Sequence, residues 1–167
     1  MKKKIILGTR KSKLALIYAK IAKKKIQKIK SKFGITSVEI KKITTKGDIV
    51  QNRRISDIGG KGLFTKKIEY ELLSKKIDIA IHALKDIPSV ESEKLAVNCF
   101  LKRNDPRDVL ISRDKKKFQN LPKNSVIGTS SFRREFQLKR IRNDLTYKLI
   151  RGNVDTRIKK LKDKLYD

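Results

Sequence analysis

The chain has 167 residues, of which 45 are Lys or Arg, 17 are Asp or Glu and one is His, so the net charge is +28 and the pI is near 10.4. A hydrophobic share of 38% suffices for an ordinary core, so the charge does not by itself signal disorder. One Cys excludes an internal disulfide framework and any all-Cys metal site, and the single His82 excludes a metal site or catalytic dyad that needs two histidines from this chain.

The opening Met1–Leu7 is basic and then apolar, but the run Ile5-Ile6-Leu7 falls short of the roughly 7–15 apolar residues of a signal peptide. No window approaches the roughly 20 apolar residues of a spanning helix, so a cytoplasmic setting without a membrane partner is expected. Lys3–Gly8 predicts a strand. From Ser12, a residue suited to an N-cap, the residues Leu14, Ile17, Ile21, Ala22, Ile26, Ile29 and Phe33 recur at three- and four-residue steps, which predicts a helix with these residues along one face and Gly34 as its stop. Val38–Thr44 predicts the next strand, and the Gly-containing stretch Lys46–Gly62 a loop. Thr65–Lys75 reads as a helix, and Ile77–Ile81 and Leu95–Phe100 as strands. The polar LKRNDPR of Leu101–Arg107 marks a domain crossing, giving domains 1–100 and 101–167. Val109–Ser112, Ser125–Gly128 and Thr146–Ile150 then read as strands, and Ser131–Arg142 and Val154–Leu165 as helices.

Strands alternating with helices imply βαβ units and a mainly parallel sheet in each of two α/β domains. The second set stops after a helix with no strand to receive it, which predicts an exposed sheet edge and an uncovered helix face. The chain reads as cut short.

Charge invites a nucleic-acid partner, but its distribution argues against a specific one. Thirty-three of the cations are Lys, and Lys11–Phe33 holds nine Lys and no acid, while Ile outnumbers Val 22 to 7. A joint excess of Lys and Ile reads as compositional drift at tolerant positions. Aromatics at 6% without Trp do not readily assemble a base-stacking platform.

Three strand–helix junctions concentrate the informative residues. Gly128-Thr129-Ser130-Ser131-Phe132-Arg133-Arg134 places small hydroxyls and then two Arg at a helix start, where N–H groups and the helix dipole favour an anion. Arg is disfavoured at that positive end unless an anion is bound; otherwise the pair is simply solvated. Arg151-Gly152-Asn153-Val154-Asp155-Thr156-Arg157 repeats the layout, and Gly8-Thr9-Arg10-Lys11-Ser12 opens the first helix. In open α/β sheets such strand ends are where ligands bind, and the ligand implied is polyanionic. In His82-Ala83-Leu84-Lys85-Asp86-Ile87-Pro88, Asp86 either acts on a cationic intermediate or caps the turn before Pro88. His82 reads as a hydrogen-bonded strand-end residue, Gly59-Gly60-Lys61-Gly62 as a lid rather than a P-loop, and Cys99 as a small buried apolar residue.

Seven blocks in order, GTRKSKLAL, TKGD, GGKGLF, DIAIHALKDIP, NDPRDVLIS, IGTSSFRR and LIRGNVDTR, resemble the porphobilinogen deaminase (hydroxymethylbilane synthase) family over Leu7–Leu161. The resemblance implies two periplasmic-binding-protein-like α/β domains plus a small third domain. It also implies an enzyme of tetrapyrrole biosynthesis that joins four porphobilinogen molecules head to tail with release of ammonia. Loss of ammonia leaves an electron-poor azafulvene, and the resemblance gives Asp86 the role of the carboxylate that stabilises its pyrrole nitrogen. Lys85, Arg10, Ser12, Thr129, Ser131, Arg133, Arg134, Arg151 and Arg157 match positions that bind the dipyrromethane cofactor or substrate carboxylates, and Asp48–Gly62 matches a mobile loop. Lys13 stands where Pro is common and Ala83 where Ser is common, while Asp155 puts an acid near Arg157. The resemblance further implies that the second domain is incomplete and the third, with the Cys that anchors the cofactor, is absent; Cys99 does not correspond to that Cys. The expectation is then a usually monomeric enzyme, inactive as this chain alone unless a C-terminal polypeptide complements it. The alternatives are a non-catalytic basic module that binds polyanions and a transport-type binding protein, the latter lacking an export signal.

Overall fold

Strand β1 (Lys3–Arg10) is the axis of the first of two units, and its continuous run Ile5-Ile6-Leu7 suits a strand buried on both faces. In the computed structural model, which describes residues 3–49, 62–89 and 92–167, β1 lies between β2 (Ile35–Ile43) and β3 (Ile79–Ala80), all parallel. Leu7 pairs with Ile40 on one side and Ile79 on the other. Because side chains alternate across a strand, β1 feeds two cores. Ile5 and Leu7 join Val38 and Ala22 on one face, while Ile6 packs toward Ile43, Ile68 and Ile77 on the other. Helix α1 (Lys13–Ile29) covers the first face. After the short α2 (Lys46–Ile49), α3 (Lys66–Leu73) covers the second. The unit extends to Lys102.

Helix α1 starts and stops where its sequence says. The Ser12 hydroxyl accepts from the Ala15 N–H, and Gly34, at φ 62°, ends a 3-10 turn over Lys30–Phe33 with its N–H on the carbonyls of Lys30 and Ser31. Only part of the predicted face is buried. Ala19 and Ala22 are buried and Ile26 is partly so, whereas Leu14, Ile17, Ile21, Ile29 and Phe33 are all more than 40% exposed. Small Ala side chains let the helix lie close on the sheet, and that contact turns the bulky stripe outward.

Two predicted strands are not strands. Leu95–Phe100 and Val109–Ser112 pair with no other strand, and Phe100, Val109 and Ile111 are exposed. Extended apolar sequence becomes a strand only beside a partner ladder, and among the described residues none flanks these segments. Cys99 falls in the first of them and is exposed, which corrects the expectation of a buried residue.

Among the described residues the second unit begins at Arg103. Its β4 (Val126–Gly128) and β5 (Thr146–Lys148) are parallel and joined through α4 (Phe132–Ile141), over a core of Leu121, Ile127 and Leu145; α5 (Val154–Lys162) follows. Arg142 ties it together, donating to the carbonyls of Phe118, Gln119 and Leu121 and pairing with Asp144 at 2.6 Å. The predicted bare edge is partly covered. Asp167 accepts from the Val126 N–H through its carboxylate at 2.8 Å and donates its own N–H to the Val126 carbonyl at 3.0 Å, while also pairing with Arg113. Helix α5 buries no residue, in line with an uncovered face. Among the described residues no helix is long and apolar enough to cross a membrane.

Candidate functional site

Each unit carries its own cluster, built at the C-terminal ends of its strands. In the first, β1 ends at Arg10, and the parallel register brings the residues after β2 and β3 alongside it. Arg10 donates through Nε (3.1 Å) and Nη2 (2.6 Å) to Oδ1 of Asp48, and through Nη1 (3.2 Å) to Oδ2 of Asp86. The Phe64 ring lies 3.8 Å from the guanidinium carbon, a cation–π stack that leaves the plane of the guanidinium to the two carboxylates. All three charged side chains are no more than 17% exposed. Asp48 is held from behind by Thr45, whose N–H and hydroxyl donate to Oδ2 at 3.2 and 2.7 Å. Burial alone raises the pKa of Asp48, but the hydrogen bonds from Arg10 and Thr45, with the Arg10 charge, outweigh it and hold the carboxyl below its usual range.

Asp86 closes a 3-10 turn over Leu84–Asp86, donating its N–H to Ala83. Lys85 is exposed in that same turn, and the hydroxyl of Ser12 caps α1. His82 departs from its reading as a hydrogen-bonded residue. Its Nε2 is buried with no hydrogen-bond partner, and burial pushes the imidazole pKa down against the raising charges of Asp86 and Glu69, with Arg10 adding a lowering contribution. The predicted lid falls almost wholly outside the described residues, which include only Asp48, Ile49 and Gly62 of it.

In the second unit, Thr129 is buried just after β4. Its N–H reaches the Lys148 carbonyl, and its hydroxyl accepts from the Ser131 N–H at 3.2 Å. Ser131 in turn caps α4, accepting from the Arg134 N–H. Arg133 and Arg134 occupy the first turn, and both reach Asp108. Arg134 donates to its Oδ1 through Nε at 2.9 Å and lies within 2.8 Å through Nη2, and Arg133 Nη2 is 3.1 Å from Oδ2. Burial raises the pKa of Asp108, but the two arginines outweigh it and the net shift is downward. Gly152, at φ 112°, makes the turn after β5, and its carbonyl accepts from Arg157 Nε at 2.9 Å. Arg151 is buried, and Arg157 also lies 3.4 Å from the Ser130 hydroxyl. Burial first, and then the neighbouring charges of Arg151 and Arg134, push the Arg157 pKa down. Arg157 is thus held out of water beside two further cations, a setting that favours an anion.

The second unit therefore brings Thr129, Ser131, Arg133, Arg134, Arg151 and Arg157 to one end of its sheet, and the first joins Arg10 to Asp86, with Ser12 and Lys85 on the adjoining turns. Sequence reasoning missed Asp48, Phe64, Thr45 and Asp108. Two acids inside strongly basic segments were the available signal for Asp48 and Asp108; nothing local marks Phe64.

A family model described as the dipyromethane cofactor binding domain of porphobilinogen deaminase matches residues 5–167. The porphobilinogen deaminase of Rickettsia bellii (strain OSU 85-389) is 48% identical over 163 residues, 98% of this chain and 53% of that protein. Those of Bacillus mycoides (strain KBAB4) and Bacillus subtilis (strain 168) are each 47% identical, over 99% and 100% of this chain and 52% of their own lengths. The chain spans about half the length of the curated relatives it matches, at an identity that leaves its assignment plain. The chain belongs to the porphobilinogen deaminase family.

Proposed function

We propose that this chain carries the catalytic carboxylate and the anion-binding arginines of hydroxymethylbilane synthesis, the stepwise head-to-tail condensation of four porphobilinogen molecules with loss of ammonia. The observation that carries the reading is the Arg10 guanidinium, stacked on Phe64 and shared between Asp48 and Asp86. Arg10 fixes the orientation of the Asp86 carboxylate, and Asp48 with Thr45 fixes Arg10. When the C–N bond of porphobilinogen breaks and ammonia leaves with the electron pair, positive charge develops on the pyrrole. A carboxylate held near the pyrrole N–H stabilises that charge and can take or return its proton. Preorganisation matters because no side chain then has to reorient as the charge appears.

The dipyrromethane cofactor bears acetate and propionate groups, and the residues present fit it. Arg133, Arg134, Arg151 and Arg157 are planar donors suited to carboxylates, gathered where the second unit has more cations than acids. Bound, that group supplies the pyrrole chain onto which substrate units are added. Lys85, Ser12, Thr129 and Ser131 border the two clusters, and the Ser12 and Ser131 hydroxyls also cap the helices that present them. We place the reaction in the cytoplasm, with one copy of this chain in each working enzyme.

Porphobilinogen consumption, followed with a pyrrole colour reagent, tests the reading. The 167 residues alone are expected to show no turnover, and addition of a polypeptide covering the C-terminal half of a relative to restore it. Asp86→Ala in that mixture is expected to abolish it. Full turnover by the Asp86→Ala mixture refutes the role of Asp86. Binding of duplex DNA and porphobilinogen alike, both lost steeply with salt, would favour a non-catalytic polyanion module instead.

A further inference from the structure

We infer that Asp108 is an internal counter-carboxylate of the Arg133–Arg134 pair, occupying the position an incoming ligand carboxylate takes and displaced when one binds; the inference rests on the polycarboxylate reading above. Both arginines converge on the one carboxylate. Arg134 turns its Nε and Nη2 toward one oxygen of Asp108, the edge with which a guanidinium grips a carboxylate, and Arg133 gives Nη2 to the other oxygen. The Nη1 of Arg133 is on Gln137 at 2.9 Å, so Asp108 and Gln137 between them take up the donor edges this arginine pair turns to its neighbours.

Two features make the contact exchangeable rather than structural. The side chains of Asp108, Arg133 and Arg134 are 40%, 59% and 46% exposed, so water competes and the ion pair is weak. Asp108 sits in a segment with no helix or strand, beside Val109 at 81% exposure, so it can withdraw without breaking a ladder. The contrast is Arg142, whose guanidinium is fixed by three backbone carbonyls as well as by Asp144. Without an anion, two adjacent guanidinium groups in the first turn of α4 repel each other and oppose the helix dipole. Asp108 relieves that repulsion while the site is empty, and competes with the ligand when one arrives.

Isothermal titration with propane-1,2,3-tricarboxylate tests this without assuming the natural ligand. Asp108→Asn is expected to bind the probe about three- to fivefold more tightly than wild type, the size of one exposed ion pair, and Asp108→Glu to stay near wild type. NMR of the arginine side chains supplies a readout that a merely structural role leaves unmoved. The Arg134 Nε–H signal of wild type is expected to shift on adding probe, and in Asp108→Asn to start from a different position. Weaker or unchanged binding in Asp108→Asn, with native far-UV circular dichroism, overturns the inference and makes Asp108 a support for the arginines. No binding to either protein at millimolar probe overturns it too. Tighter probe binding with no binding of porphobilinogen leaves the counter-carboxylate standing and removes the substrate assignment.

Discussion

Replacing Asp48 by Asn keeps the side chain's shape and changes one oxygen from acceptor to donor. In the folded protein Oδ1 accepts twice from Arg10 and Oδ2 accepts from the Thr45 N–H and hydroxyl. With its oxygen toward Arg10, Asn points an NH2 at the Thr45 N–H, and Thr45 is 1% exposed, so water cannot separate the two donors. Flipped, the NH2 faces the guanidinium. Either way a donor meets a donor, and charge-assisted bonds are lost in a site where Asp48 is 15% exposed. The expected cost is about 2 kcal/mol at pH 7, from the range for hydrogen bonds to charged groups. For a cooperative unit of this size that lowers Tm by roughly 8–16 °C.

The pH dependence follows from the lowered pKa of Asp48. A carboxyl depressed on folding stabilises fully above its unfolded value, about 3.9, and loses that contribution as pH falls through the lower folded value. The gap between wild type and Asp48→Asn is therefore expected to be constant from pH 7 to 5 and to close below pH 4. Urea unfolding followed by circular dichroism between pH 7 and 3 measures it. A gap under about 0.5 kcal/mol at pH 7, smaller than a single net hydrogen bond, refutes the reasoning, as does one undiminished at pH 3.

Other outcomes are equally specific. In Gly8→Ala the new Cβ would lie 2.3 Å from Ile77 Cδ1 and 3.2 Å from Ile43 Cδ1, so overpacking is expected to cost about 1–3 kcal/mol, with Ile77→Val restoring part of it in the double variant; urea midpoints decide. Arg142→Lys cannot reach three carbonyls and a carboxylate at once, and is expected to lower the urea midpoint relative to wild type; an unchanged midpoint would contradict its tying role. Cys99 is exposed, so a chromogenic disulfide reagent is expected to modify it in the native protein as fast as in urea; strong protection would contradict its placement.

What the sequence made legible is what is encoded locally. Ser12 and Ser131 announce helix starts because a cap needs only its own next three residues, and Gly34 announces a stop because the left-handed turn is a property of one residue. The alternation in β1 fixes which residues go to which side of the sheet. Periodicity weights bulk, so in α1 it picks out Leu14 and Ile17, which stay exposed, and passes over Ala19, which settles on the sheet beside Ala22. Leu95–Phe100 and Val109–Ser112 have strand composition, but a strand is a relation between two segments and composition describes only one. The Arg clusters stood out because cations gather at strand ends. Their acids did not, since Asp48 lies 38 residues from Arg10 and Asp108 lies 25 from Arg133, separations that no spacing rule spans.

The order β2-β1-β3 places the first-made strand in the middle of its sheet. During synthesis Ile5, Ile6 and Leu7 leave the ribosome with both backbone edges bare, and the first edge is not paired until β2, ending at Ile43, has followed. For that interval the nascent chain carries a short β-prone segment open to pairing with any other. Lys2, Lys3 and Lys4 stand immediately before it, and charge at that position keeps like segments apart, a gatekeeping arrangement against aggregation. Once β2 is docked, Lys4 pairs with Glu39 at 2.8 Å. The same lysine thus stands beside a bare edge before β2 is made and in an ion pair across the finished ladder.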